Sequence, residues 1–232
     1  MNGTVTGMNE KDVRLMRSIM AGVGNATAGG VVLLDVRTTQ FVRVELMLLK
    51  ALSEELDLPG IFISVDRPHQ YMIHLLSIHQ IRPSRLTFID LIGRLSGDTK
   101  AGSANVGFIG SPFRIDSFLA ALKRWSATAG DGAVSLKDCR FVIMDNIATL
   151  LTYNSYTTVE SLLRNFVSML DPAEVLVPLL VDSERSPLLF ETARSLCDRE
   201  ISVREEAFQP IGSEGPEAQD GIVGTRLAEG GA

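Results

Sequence analysis

The chain predicts an α/β fold in which a mainly parallel sheet carries helices on both faces. Three observations carry that prediction. Apolar runs of strand length recur at 31–36, 61–65, 86–91, 140–145, 174–181 and 200–204. Segments with apolar residues at helical spacing separate most of them. The run Phe141-Val142-Ile143-Met144 is apolar without alternation, as a strand buried on both faces of a parallel sheet is.

The elements follow in order. Val13, Met16, Ile19 and Met20 predict a helix over 10–21, with Asn9 as N-cap and Gly22 as stop. After the small residues 22–30 comes the first strand, Val31 to Val36, and then a long helix, apolar on nearly every face, that ends before Pro59-Gly60. A second strand closes at Asp66-Arg67-Pro68, where a helix with Met72, Leu75, Leu76 and Ile78 inward begins. The third strand ends near Asp90. Periodicity then disappears from Gly93 to Ser111, which predicts one long glycine-rich loop. Pro112 to Ala127 reads as an amphipathic helix with Phe113, Ile115, Phe118, Leu119 and Leu122 inward. A fourth strand ends on Asp145. Further helices are predicted from Val159 to Leu170 and from Pro187 to Asp198, around a fifth strand and before an edge strand.

With 232 residues, 45% of them hydrophobic, the chain has the length and apolar content of one large domain. It is expected to divide into an N-terminal helix and lead-in over 1–29, a core over 30–208, and a disordered tail over 209–232, which is poor in large apolar groups. A formal charge of −6 argues against an electrostatic nucleic-acid binder, because phosphate contacts need a surplus of Lys and Arg on one face. Cys139 and Cys197 show no zinc-site spacing and read as reduced thiols of a cytoplasmic protein. The polar, glycine-rich start does not have the pattern of a secretory signal, and the apolar stretches are too short to cross a membrane.

The unit that organises the chain is the first strand, the turn Arg37-Thr38-Thr39-Gln40 and the helix that opens at Phe41-Val42. In phosphate-binding α/β proteins this unit carries a glycine-rich loop ending in Gly-Lys-Ser/Thr, whose N–H groups wrap the phosphates and whose lysine neutralises them. Here the turn has no glycine and no lysine, and Phe41 and Val42 stand where the lysine and hydroxyl are expected. The β-carbons of Thr38 and Thr39 obstruct the close backbone approach that a phosphate cradle needs.

From Gly30 to Arg204 the chain resembles the RecA-like ATPase core, and most closely the KaiC-like proteins implicated in archaeal and bacterial signal transduction. Three stretches carry the resemblance: the strand and turn Val31 to Val42, the strand Pro59 to Val65 leading to Asp66-Arg67, and Ile143-Met144-Asp145-Asn146-Ile147 continuing through Tyr153-Asn154-Ser155. It implies a three-layer RecA-like domain of the P-loop NTPase type. By the same resemblance Asp145 occupies the magnesium position, and Asp66 with Arg67 the acidic pair that activates water. A shorter acid beside a cation is a poor general base. The resemblance therefore implies an inactivated member.

For Asp145, closing the turn after its strand is the simpler role, since one carboxylate makes a poor magnesium site without substrate phosphates. For Asp66 and Arg67 the simpler roles are a helix-entry carboxylate and a solvated arginine. Asp35 and Asp90 also fall at strand ends. His69, His74 and His79 are five apart, which spreads them around a helix instead of converging them on a metal. The leading expectation is a non-catalytic module that acts through protein partners or self-association, without cofactor. The rival is a nucleotide sensor or slow ATPase that keeps magnesium–ATP through Asp145 and Asp66, with Arg37 replacing the lysine.

Overall fold

The computed structural model describes residues 10–23, 29–82, 85–93, 105–109, 111–128, 133–170 and 174–203. The expected tail over 209–232 lies outside them. The strands are β1 (Gly30–Asp35), β2 (Gly60–Ser64), β3 (Leu86–Asp90), β4 (Val106–Phe108), β5 (Phe141–Met144), β6 (Leu176–Val181) and β7 (Arg199–Ser202). They form one sheet of seven in the order β4-β3-β2-β5-β6-β1-β7, and every pairing is parallel. The helices are α1 (Glu10–Val23), α2 (Phe41–Leu49), α3 (His69–Ile78), α4 (Phe118–Ala127), α5 (Tyr156–Leu170) and α6 (Pro187–Arg194).

Alternate side chains of each strand feed two separate cores. Val32, Leu34, Phe62, Phe88 and Ile143 pack against α1, α2 and α3 on one face. Leu33, Ile61, Ile63, Val142 and Leu179 pack against α4, α5 and α6 on the other. Burial on both faces explains why the strands read as continuous apolar runs. At the start of β2 the sheet closes tightly, because a Cβ on Gly60 would sit 2.1 Å from the Phe141 ring. Only glycine fits beside that phenylalanine.

Helix placement leaves two crevices. β1 sends α2 to the first face while its neighbour β6 sends α6 to the second; β2 sends α3 to the first while its neighbour β5 sends α5 to the second. Neighbouring strands whose outgoing helices part in this way open a gap beyond their carboxyl ends, where ligands of open α/β sheets sit.

Several local expectations need correction. The stretch 93–111 is not loop throughout, since β4 lies inside it and pairs with β3; residues 94–104 lie outside the described set. Phe113 does not face the core but is 52% exposed, edge-on to Tyr153 at 4.7 Å, because a 3-10 turn at Ile115–Ser117 precedes α4. Ile78 is also exposed, at 57%, as the last residue of a helix whose buried side is carried by Met72 and Leu76. The helix after β1 does run to Leu56, but its last part, Lys50–Glu55, is π-helical.

Cys139 is buried just before β5, and burial pushes its thiol up to about 12; burial also raises Cys197, which is more accessible. Only the thiolate reacts. A maleimide at pH 8 is therefore expected to label Cys197 in the native protein and Cys139 only on unfolding, read by peptide mass mapping. Equal native rates at both would contradict this packing.

Candidate functional site

Each crevice is filled by side chains of the chain itself. Over β1 and β6, the turn Thr38–Gln40 lifts the chain from the sheet into α2. Asp182, the residue after β6, is 4% exposed. Its Oδ2 accepts hydrogen bonds from the Thr38 backbone N–H at 2.8 Å and the Thr38 hydroxyl at 3.0 Å. Its Oδ1 accepts from the N–H groups of Glu184 and Arg185 at 3.1 and 3.3 Å. Asp35, at the end of β1, accepts from the Ser183 N–H at 3.1 Å and the Ser183 hydroxyl at 2.9 Å. An N–H group that opens a helix attracts an anion. Here that anion is the Asp182 carboxylate.

Phe41 stands one turn further on, 2% exposed and packed into the core between the sheet and α1–α3. Val42 is half-buried, and Arg37 is exposed. Thr39 and Gln40 line a groove outside α2. Of the turn residues read from the sequence, Thr38 is brought onto Asp182 by both its N–H and its hydroxyl.

Over β2 and β5 the fill is cationic. Asp145 is fully buried at the end of β5. The Arg67 guanidinium reaches it with Nη2 on Oδ1 and with Nε 3.4 Å from Oδ2. The same Nη2 lies 3.3 Å from Oε2 of Glu45, a carboxyl of α2 with no exposed surface. Asp66 takes hydrogen bonds from the Thr149 hydroxyl at 3.0 Å and the Asn146 amide at 3.3 Å, and stands 3.9 Å from Arg67 Nε. Asn146 holds a left-handed conformation, φ +38°, which asparagine tolerates better than most residues. Tyr71 covers the guanidinium, its ring centre 5.9 Å away.

Burial, and then the negative charge of Asp145, hold the Glu45 carboxyl well above the usual range, so Glu45 stays protonated where ordinary glutamates ionise. The guanidinium of Arg67 is pushed the other way, toward still firmer protonation: its partners Asp145, Glu45 and Asp66 outweigh the cost of burial. Among the described residues, Glu45 Oε1 and the Ser64 hydroxyl are buried without a hydrogen-bond partner. Arg67 is thus not a solvated arginine but the counterion of the buried Asp145 carboxylate and a hydrogen-bond donor to the Glu45 carboxyl, because a buried carboxylate needs a cation or donors beside it.

A fourth strand-end aspartate, Asp90, works differently. Its Oδ2 accepts from the His69 N–H at 2.8 Å and lies 2.6 Å from His69 Nδ1, while Oδ1 accepts from Ile92 and Gly93 at 2.8 and 2.6 Å. His69 is buried edge-on to Phe108 at 5.4 Å. The pair fastens the start of α3 to the end of β3.

Among the described residues no group of three or more His, Cys, Asp or Glu is arranged to hold a metal. The residues present do not fit a magnesium–nucleotide complex, since Asp145 already carries a guanidinium and the turn N–H already carries a carboxylate. Sequence reading missed Glu45 and Asp182. Each left a trace: Glu45 is the one acid inside the apolar run Val44 to Leu49, and Asp182 closes its strand as Asp35 and Asp90 close theirs.

No family model matches the chain, and no curated protein does. The solved structures similar to the chain include two from one archaeon. A KaiC-like protein from the hyperthermophilic archaeon Pyrococcus horikoshii aligns with a TM-score of 0.51 and 12% identity over 75% of this chain and 71% of that one. An uncharacterised Pyrococcus horikoshii protein, crystallised in complex with an unknown peptide, aligns with a TM-score of 0.53 and 15% identity over 82% of each chain.

Glu45 and Arg67 give opposite predictions. A raised carboxyl pKa contributes stability that is full below the unfolded-state value and is lost as pH rises through the folded value. Glu45→Gln is therefore expected to stabilise the protein at pH 8, raising Tm by about 2–4 °C for each kcal/mol gained, and to match the parent near pH 4. Arg67→Ala leaves the buried Asp145 carboxylate without its cation and is expected to cost about 3–5 kcal/mol in urea unfolding at pH 7. A neutral effect of Arg67→Ala would remove the ion pair from the account.

Proposed function

We propose that this chain is a non-catalytic member of the RecA-like fold class, whose solved structures include the similar KaiC-like protein, and that it acts as a regulatory or protein-interaction module in signal transduction. One observation carries the reading. Where bound magnesium–nucleotide brings a cation and phosphates, this chain brings Arg67 to Asp145 and Asp182 to the Thr38 N–H. Phe41 reinforces it, because the residue at the lysine position belongs to the core.

A module without chemistry acts through what it touches. The similar Pyrococcus horikoshii structure was solved with a peptide bound, which supports a role in holding polypeptide. Exposed aromatic surface supports the reading: Tyr71 is 44% exposed, Phe113 52% and Tyr153 39%. Aromatic side chains of this kind are enriched at protein interfaces.

The test is thermal unfolding with excess magnesium–ATP, ADP and GTP. A ligand at one hundred times its Kd adds about 2.7 kcal/mol, roughly 5–10 °C in a chain of this size. No shift is expected. A shift of that size for any nucleotide would make the protein a nucleotide sensor instead. The interaction role predicts self-association or a complex by gel filtration with light scattering, and loses its support if the protein is monomeric at every concentration and binds no partner.

A further inference from the structure

The helix after β1 is apolar almost all round, and a helix of that kind needs cover on every side. The sheet covers its inner side, while α1 and α3 flank it. Outside it a groove of about 330 Å³ remains, lined by Val42, Leu46 and Met47 of α2, Leu75 of α3, and Ile81. The Asp12–Arg43 ion pair, 2.6 Å long, closes one rim.

The chain itself passes this face again at its other end. Val203, after β7, is 3% exposed, packs into the same core as α1–α3, and donates its N–H to the Asp35 carbonyl at 3.0 Å. Thr39, on the groove wall, is only four residues past Asp35, within about 15 Å of it along the chain. Beyond Val203 the sequence continues Arg204-Glu205-Glu206-Ala207-Phe208-Gln209-Pro210-Ile211. Phe208 and Ile211 are the first large apolar residues of that segment, and Phe208 is the only aromatic one from 204 to 232. At about 3.3–3.6 Å per extended residue they reach roughly 17 and 27 Å from Val203, enough to arrive over α2.

We infer that the groove over α2 is the seat of the chain's own C-terminal segment, with Phe208 and Ile211 placed against Val42, Leu46 and Leu75. Docking completes the burial of α2 and occupies the apolar groove on that face.

The experiment uses the full chain. A benzophenone side chain installed at Phe208 is expected on irradiation to crosslink to residues 39–47 or 75–81 of the same molecule, located by peptide mass mapping. Crosslinks joining two molecules would make a second copy the occupant, and crosslinks elsewhere would empty the groove; either overturns the inference. In parallel, Phe208→Ser with Ile211→Ser is expected to speed amide exchange at residues 42–47 by roughly tenfold, as loss of cover lowers the local opening free energy. An unchanged rate overturns it. So does acceleration by Met8→Ser alone, which would hand the groove to the N-terminal lead-in.

Discussion

The structure depends on one constraint: the carboxylates buried at the carboxyl ends of the strands must each find donors or a cation. Asp35, Asp90, Asp145 and Asp182 lie at four of those ends, at 9%, 1%, 0% and 4% exposure. An ion taken out of water without compensation costs several kcal/mol, enough to undo a domain of ordinary stability. The fold answers with hydroxyl and N–H donors over β1 and β6, a guanidinium over β2 and β5, and an imidazole with N–H donors at β3. Those answers fix where the loops after the strands run.

α2 ties the answers together. Its preceding turn offers the Thr38 N–H to Asp182, Phe41 anchors its first turn in the core, and Glu45 meets Arg67 from the middle. The apolar face supplies the driving force for docking the helix. The polar contacts supply register, since a helix displaced by one residue would carry Glu45 away from Arg67 and into hydrocarbon. Protonation of Glu45 moderates that demand by leaving Asp145 as the principal charge against Arg67.

Much of the layout was legible because buried parallel strands leave a strong mark. Phe141 to Met144 and Leu176 to Val181 are unbroken apolar runs, and both are central strands. β4 was hidden because its three residues sit among glycines and make an edge, where apolar periodicity has no length in which to appear. The site was legible in part. That the turn lacked glycine and lysine could be read directly, and so could the aspartates ending several strands. What could not be read was pairing across distance: Arg67 and Asp145 are 78 residues apart, Thr38 and Asp182 are 144 apart, and no local pattern joins them. Glu45 and Asp182 passed unnoticed because a lone acid in a helix, or after a strand, acquires meaning only from what the fold sets beside it.

The double role of Asp182 and Arg67 has a consequence for mutational history. Introducing a lysine near Val42 leaves Asp182 seated on the Thr38 amide and Phe41 locked in the core. Removing Asp182 first strips the Thr38, Glu184 and Arg185 amides of their acceptor, and removing Arg67 first strands Glu45 and Asp145. Each single step toward an open crevice lowers stability before it offers anything in return, and contacting residues do not contribute additively. Asp182, Arg67 and the groups they hold are therefore coupled through the folding equilibrium, so that replacing one without its partners costs more than replacing them together.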